Sequence, residues 1–260
     1  AGGAARLNTP AGMPADPLRV RLVQPNAAQH LKWRGDMWRI FLDRQMEMTG
    51  EPAPEPLDLI VWPETAVPFL LGNVGSLPEE MTLLSRGVPM AFGIQREDGA
   101  RFYNSLAVTD AKGRVTEVYD KWHLVPFGEY IPGGDLFASF GITAFAAQAG
   151  NGYSAGQGAR VIDLGRAGKV LPLICYEAIF PQDLRAAGTR ADWVLQVTND
   201  SWFGDLAGPY QHLAQARLRA VEQGLPVLRA ANTGVSAAID PYGRILDSLP
   251  LNEAGFVDVA

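Results

Sequence analysis

Little in this chain points to cross-linking, metal or nucleic acid. One cysteine, Cys175, occurs in 260 residues, so no intramolecular disulfide can form. That fits the cytosol and equally fits an exported protein that does without one. The three histidines, His30, His123 and His212, lie far apart, and there is no H-x-x-x-H or C-x-x-C. Metal-ligand spacing is therefore missing, and no metal or other cofactor is expected. Charged residues make up 19%, below the usual quarter, and the net charge is -6. Without a basic face, nucleic acid is excluded as a partner. No apolar run reaches the ~18 residues of a membrane span. No charged segment followed by an apolar one opens the chain, as a secretory signal would. The sequence starts at Ala1 without a methionine, which reads as a processed protein or an excised domain.

What is present is apolar residues, 47% of the total. The length suits one large α/β domain. Residues 1–17, rich in Ala, Gly and Pro, read as a linker or tail, and 18–260 as the domain. Periodicity predicts strands over 18–23, 57–62, 89–95, 103–109, 114–119, 161–164, 170–174, 193–197, 227–231, 235–240, 244–247 and 256–259. It predicts helices over 31–48, 78–86, 179–187 and 206–222. Early strand–helix alternation followed by late hairpins predicts a mixed sheet in a layered α/β domain. Between Lys121 and Gly158 no regular pattern is visible.

Three reactive side chains fall just after strands. Glu64 follows strand 57–62, Lys121 follows 114–119, and Cys175 ends 170–174 before a predicted helix. Sites in α/β sheets gather at the carboxyl ends of strands. A helix N-terminus stabilises a thiolate and offers amides to an oxyanion. Each residue alone has a plainer reading: a small buried hydrophobe, a turn carboxylate, a solvated cation.

The segments around them bear a family resemblance. Val61-Trp62-Pro63-Glu64, Tyr119-Asp120-Lys121-Trp122-His123-Leu124 and Leu173-Ile174-Cys175-Tyr176-Glu177 resemble the Glu, Lys and Cys motifs of the nitrilase superfamily, in order. More narrowly, Trp62 to Ala66, Lys121 to Tyr130 and Asn199-Asp200-Ser201-Trp202-Phe203-Gly204 resemble apolipoprotein N-acyltransferases. The likeness runs from about Leu18 to the end.

The resemblance implies a four-layer α-β-β-α sandwich with mixed sheets and a ping-pong acyl transfer. Cys175 would attack an acyl carbonyl and form a thioester. Glu64 would be the general base. Lys121 and the amide after Cys175 would hold the oxyanion, and a cation near the sulfur would lower its pKa. Glu129 would support them. Tyr176, Glu177, Trp202, Phe203 and Phe145 are expected to contact substrate. The implied donor is a phospholipid, and the acceptor the N-terminal amine of a diacylglyceryl-cysteine apolipoprotein. The 133–158 stretch reads as a mobile lid over an acyl groove that touches the membrane surface. The family's flanking membrane helices are missing from this sequence. The expected parent is an inner-membrane enzyme with this domain facing the periplasm. The alternatives are a soluble amidase with the same three residues, and an inactive interaction domain of the same fold.

Overall fold

The structure, a computed structural model, describes residues 15–32, 34–131 and 152–260. Two six-stranded sheets lie face to face. The first runs β12-β1-β2-β3-β4-β5 and the second β11-β10-β9-β8-β7-β6. In the first, β1 (Val20–Gln24), β2 (Leu59–Trp62) and β3 (Met90–Asp98) are parallel neighbours. Antiparallel to them run β12 (Gly255–Val259), beside β1, and β4 (Arg101–Thr109), beside β3; β5 (Val115–Asp120) pairs antiparallel with β4. In the second, β7 (Lys169–Ile174), β8 (Trp193–Thr198) and β9 (Val227–Ala231) are parallel. Antiparallel to them run β6 (Ile162–Asp163), beside β7, and β10 (Ser236–Ile239), beside β9; β11 (Ile245–Leu249) pairs antiparallel with β10.

The period-2 alternation of strands sorts each sheet's side chains into layers. Val20, Leu22, Leu59 and Val61 point inward and meet Val170, Ile174, Leu195 and Val197 of the other sheet. Val23, Ile60, Trp62, Met90 and Phe92 point outward, under α1 (Met37–Gly50) and α2 (Leu77–Leu84). On the far side Leu171, Leu173 and Val194 pack against Leu213, Ala216 and Ala220 of α4 (Gly208–Gln223). Three apolar interfaces between four layers make the expected α-β-β-α sandwich.

Three predicted helices start later than the sequence pattern suggests, the 206–222 one by two residues, at Gly208. The 31–48 pattern becomes helical only at Met37, after turns that hold Leu31 and Lys32 on the Ala28 carbonyl. The 179–187 prediction splits into a 3-10 turn, Cys175–Ile179, and the short α3, Pro181–Ala186. Pro181 fits a first helical position, where a missing N–H costs nothing. Arg21, a basic residue within the first strand, is fully buried. It forks onto Asp258 at 2.7 and 2.8 Å and donates to the carbonyls of Met48 and Glu51, closing the end of α1.

Candidate active site

Glu64 stands on a turn leaving β2. The turn lies so close to β3 that only glycine fits there. A Cβ on Gly93 would come within 2.3 Å of the Pro63 carbonyl oxygen and 2.5 Å of the Thr65 nitrogen. Gly93 instead donates to Pro63 O and accepts from Val67 N. Thr65 sits at φ 46°, so the turn is held against local preference. The carboxylate then points into the protein, where Asn104 Nδ2 donates to Oε1 at 2.7 Å and the Asn199 amide to Oε2 at 2.8 Å.

Lys121 follows β5 directly, and its backbone is fixed at both ends. Its N–H donates to Asn104 O, and its carbonyl accepts from Gly156 N. The buried ammonium lies 2.9 Å from Glu129 Oε2 and 3.4 Å from Glu64 Oε1. Burial acts to lower its pKa, but Glu129, Glu64 and Cys175 outweigh that and raise it. It therefore stays charged. Asn104 reaches Glu129 as well, at 3.1 Å, and the Val125 amide donates to Glu129 Oε2 at 2.8 Å. Two carboxylates thus share one cation and one amide group, all buried.

Cys175 begins the 3-10 turn after β7 at φ 51°, a left-handed conformation that costs a non-glycine residue on the order of 1–3 kcal/mol. Such strain turns a side chain out of the strand and aims it. The thiol is only 4% exposed. Burial, then the charge of Glu64, push its pKa up, while Lys121 and a hydrogen bond with Thr198 pull it down. The net direction is upward. Lys121 does lower the pKa as the sequence led us to expect, yet burial and Glu64 win, so the resting group is a neutral thiol.

Glu177 ties the cysteine turn to the lysine segment. Its Oε2 accepts from Ile174 N at 2.7 Å. Its Oε1 accepts from Trp122 N at 2.7 Å, His123 N at 3.3 Å and the Tyr119 hydroxyl at 3.0 Å. It is buried, and burial lifts its pKa to about 7 despite these donors. Tyr176 is half-buried, edge-on to Phe180. Trp202 and Phe203 are 46% and 42% exposed, and Phe203 packs edge-on to His212. Phe145 and residues 133–151 of the expected lid lie outside the described residues. Its last part, 152–158, is stitched down: Tyr153 N donates to Glu129 O and Ser154 N to Phe102 O.

Sequence reasoning missed several contributors. Asn104 was detectable as a polar residue in the middle of an apolar strand. Lys32 carried no such signal. It is buried, and its Nζ donates to Glu64 O at 3.2 Å and Thr65 Oγ1 at 2.9 Å. Burial lowers its pKa to about 8 against the pull of Glu64. Arg229, a charge inside the apolar strand β9, was detectable in the same way as Asn104.

Solved structures with this architecture include a variant of the Nesterenkonia AN1 amidase from the nitrilase superfamily. It has a TM-score of 0.65 and 21% identity, over 97% of this chain and 93% of that one. That likeness defines the fold. The carbon–nitrogen hydrolase family model matches residues 19–260, and the chain belongs to that family. Among curated relatives, the apolipoprotein N-acyltransferase of Brucella melitensis biotype 1 is 44% identical over 258 residues, 93% of this chain and 47% of its own length. That of Agrobacterium fabrum is 44% identical over 264 residues, 97% of this chain and 50% of its own length. The chain spans about half the length of the curated relatives it matches. No helix among the described residues is long and apolar enough to cross a membrane.

Proposed function

We propose that this chain is the acyl-transfer domain of an apolipoprotein N-acyltransferase, with Cys175 as nucleophile, Glu64 as general base and Lys121 in the oxyanion hole. The observation that carries the reading is the buried Glu64–Lys121–Glu129 cluster beside a strained, buried thiol. A neutral thiol needs a base at the moment of attack, and of the two carboxylates whose charge acts on it, Glu64 acts more strongly than Asp200. The relatives' name supplies the substrate class.

In the first half, Glu64 takes the thiol proton as Sγ bonds to the ester carbonyl carbon of a phospholipid. Lys121 and the Tyr176 amide hold the oxyanion. The carbon–oxygen bond breaks, Glu64 returns the proton to the departing lysophospholipid hydroxyl, and a thioester remains. In the second half, the α-amine of a diacylglyceryl-cysteine attacks that carbonyl. An amide forms, the carbon–sulfur bond breaks, and one amine proton passes through Glu64 to the sulfur. Glu129 fixes Lys121, and Glu177 positions the cysteine turn. Tyr176, Trp202 and Phe203 line the donor side, where Trp122 and Phe127, 37% and 67% exposed, add apolar surface. The parent protein sits in the inner membrane with this domain in the periplasm.

The test uses the full-length natural protein with phosphatidylethanolamine in detergent micelles. Intact-mass spectrometry should find an acyl adduct on Cys175 that is stable in water and discharged by a diacylglyceryl-cysteine peptide. Discharge by water as fast as by the peptide would make the protein a hydrolase, and no adduct at all would remove the mechanism.

A further inference from the structure

His212 is a buried titratable group that the chemistry above does not use. It projects from α4 to the underside of the cysteine turn. Its Nδ1 lies 2.9 Å from Asp200 Oδ1, and its Nε2 lies 3.0 Å from the carbonyl oxygen of Cys175. Both partners are acceptors.

Asp200 is held as a carboxylate. Burial pushes its pKa up, but Arg229 and the hydrogen bond with His212 bring it down to about 2. Arg229 is fully buried. It pairs through Nη2 with Asp200 Oδ2 and donates through Nη1 to Gln196 Oε1 at 2.7 Å. The β9–β10 turn closes over Asp200 because residue 234 is glycine; a Cβ there would sit 2.1 Å from Oδ2. With its oxygen taken by Arg229, Gln196 presents its amide nitrogen to Cys175 O at 3.3 Å and to His212 Nε2 at 3.1 Å.

Three protonation patterns compete. A neutral ring with the proton on Nε2 would set its Nδ1 lone pair against Asp200 Oδ1, relieved only by Arg229 Nη2 at 3.4 Å. A neutral ring with the proton on Nδ1 would set its Nε2 lone pair against the Cys175 carbonyl oxygen, relieved only by a proton from Gln196. An imidazolium donates at both ends, to Asp200 and to Cys175 O, and leaves Gln196 to donate to the same carbonyl. The nearest partner of each nitrogen is an acceptor, which favours the last pattern.

We propose that His212 is a positioning residue held as an imidazolium, and that it strengthens the oxyanion hole through the Cys175–Tyr176 peptide bond. The inference rests on the acyl-transfer reading. The peptide group is one resonance system, so a cation on its oxygen makes its N–H a stronger donor. The oxygen belongs to Cys175 and the N–H to Tyr176, the proposed oxyanion donor. Tyr176 stands in the first turn of the 3-10 helix, where amides have no helical acceptor. The same bonds grip Cys175 in its left-handed conformation. The charged or titratable groups facing His212 are Asp200 from the turn after β8, Arg229 from β9 and Cys175 from the turn after β7. Gln196 and Phe203 complete its surroundings and are uncharged.

The experiment has two readouts on the full-length protein in detergent micelles. The first is the nitrogen-15 spectrum of the wild-type histidine rings, with His212 assigned by through-bond correlation. Both nitrogens should carry protons across neutral pH. A neutral ring, protonated on one nitrogen only, overturns the inference, and no variant needs to fold for that result. The second is the rate of Cys175 thioester formation from phosphatidylethanolamine. His212→Gln keeps a neutral donor but no charge, and should slow thioester formation about tenfold with KM unchanged. An unchanged rate overturns the inference. If the wild-type protein forms no thioester, the acyl-transfer reading falls and takes this one with it. A neutral ring in a protein that does acylate sinks this inference alone.

Discussion

Replacing Lys121 with methionine isolates the electrostatics of the site from its packing. The ammonium is 1% exposed, and its two partner carboxylates are 7% and 8% exposed. At an effective dielectric of about 20, each attraction at these distances is worth roughly 5 kcal/mol before desolvation is counted. Desolvation cancels much of that, so the pair contributes far less than its Coulomb energy. Breaking it is another matter, because two buried carboxylates remain, bridged only by Asn104. Such losses run to about 3–5 kcal/mol, a large part of a domain's stability of about 5–15 kcal/mol. We expect Lys121→Met to lower the denaturant midpoint by that equivalent at neutral pH, with the slope of the transition unchanged. Adding Glu129→Gln should recover more than half of the loss, since it removes one of the stranded charges. The raised pKa of Lys121 gives the sign of the pH effect. Its contribution is complete below the unfolded lysine value of 10.5 and disappears only as pH rises through the higher folded value. A loss under about 0.5 kcal/mol, or strictly additive effects of the two substitutions, would refute a shared buried cation.

Further outcomes follow from neighbouring groups. Lys32 has a folded pKa of about 8 against 10.5, so between those values the unfolded chain binds more protons and stability rises with pH. The slope approaches ~1.4 kcal/mol per pH unit, and denaturation series at several pH values should find it missing in Lys32→Met. Gly93→Ala drives a methyl into backbone of the Glu64 turn; we expect a stability loss of about 1–3 kcal/mol by thermal melting, and an acylation rate down by about 100-fold. Cys175→Ser should keep the fold, judged by circular dichroism, and reduce acyl transfer by at least about 1000-fold.

The central strands were legible as short continuous apolar runs, because a sheet covered on both faces buries every position, and each predicted strand overlaps an observed one. Pro181 betrays the start of α3 only after the fact, since the 3-10 turn before it has no sequence pattern of its own. Glu64, Lys121 and Cys175 were visible as polar breaks after apolar runs, and the structure sets Glu64 beside Lys121 and lets both charges act on the thiol. Glu177 lies within the cysteine motif, but the sequence cannot say that its oxygens face four donors. Lys32 was invisible for a different reason. Lys32 becomes buried only because the turn at Ala28 folds it under the Glu64 loop, and that is a tertiary event. His212 reads as one polar position of an amphipathic helix; its partners come from elsewhere, Asp200 from the turn after β8 and Arg229 from within β9.

The resting thiol carries the last consequence. Glu64 raises the pKa of Cys175, and the same carboxylate is its proposed base. One group therefore suppresses the thiolate before substrate arrives and creates it afterwards. Thiolate character governs oxidation and alkylation, so a buried neutral thiol resists both until an acyl donor is bound. Glu64→Gln separates the two roles. With the negative charge gone and Lys121 still in place, the thiol pKa should fall, and iodoacetamide should alkylate Cys175 faster than in wild type at mildly alkaline pH. Acyl transfer should drop in the same protein because no base remains. Alkylation monitored by mass spectrometry beside acyl transfer gives both rates from one preparation. If the two rates fall together, Glu64 does not hold the thiol neutral, and the electrostatic account of the resting site is wrong.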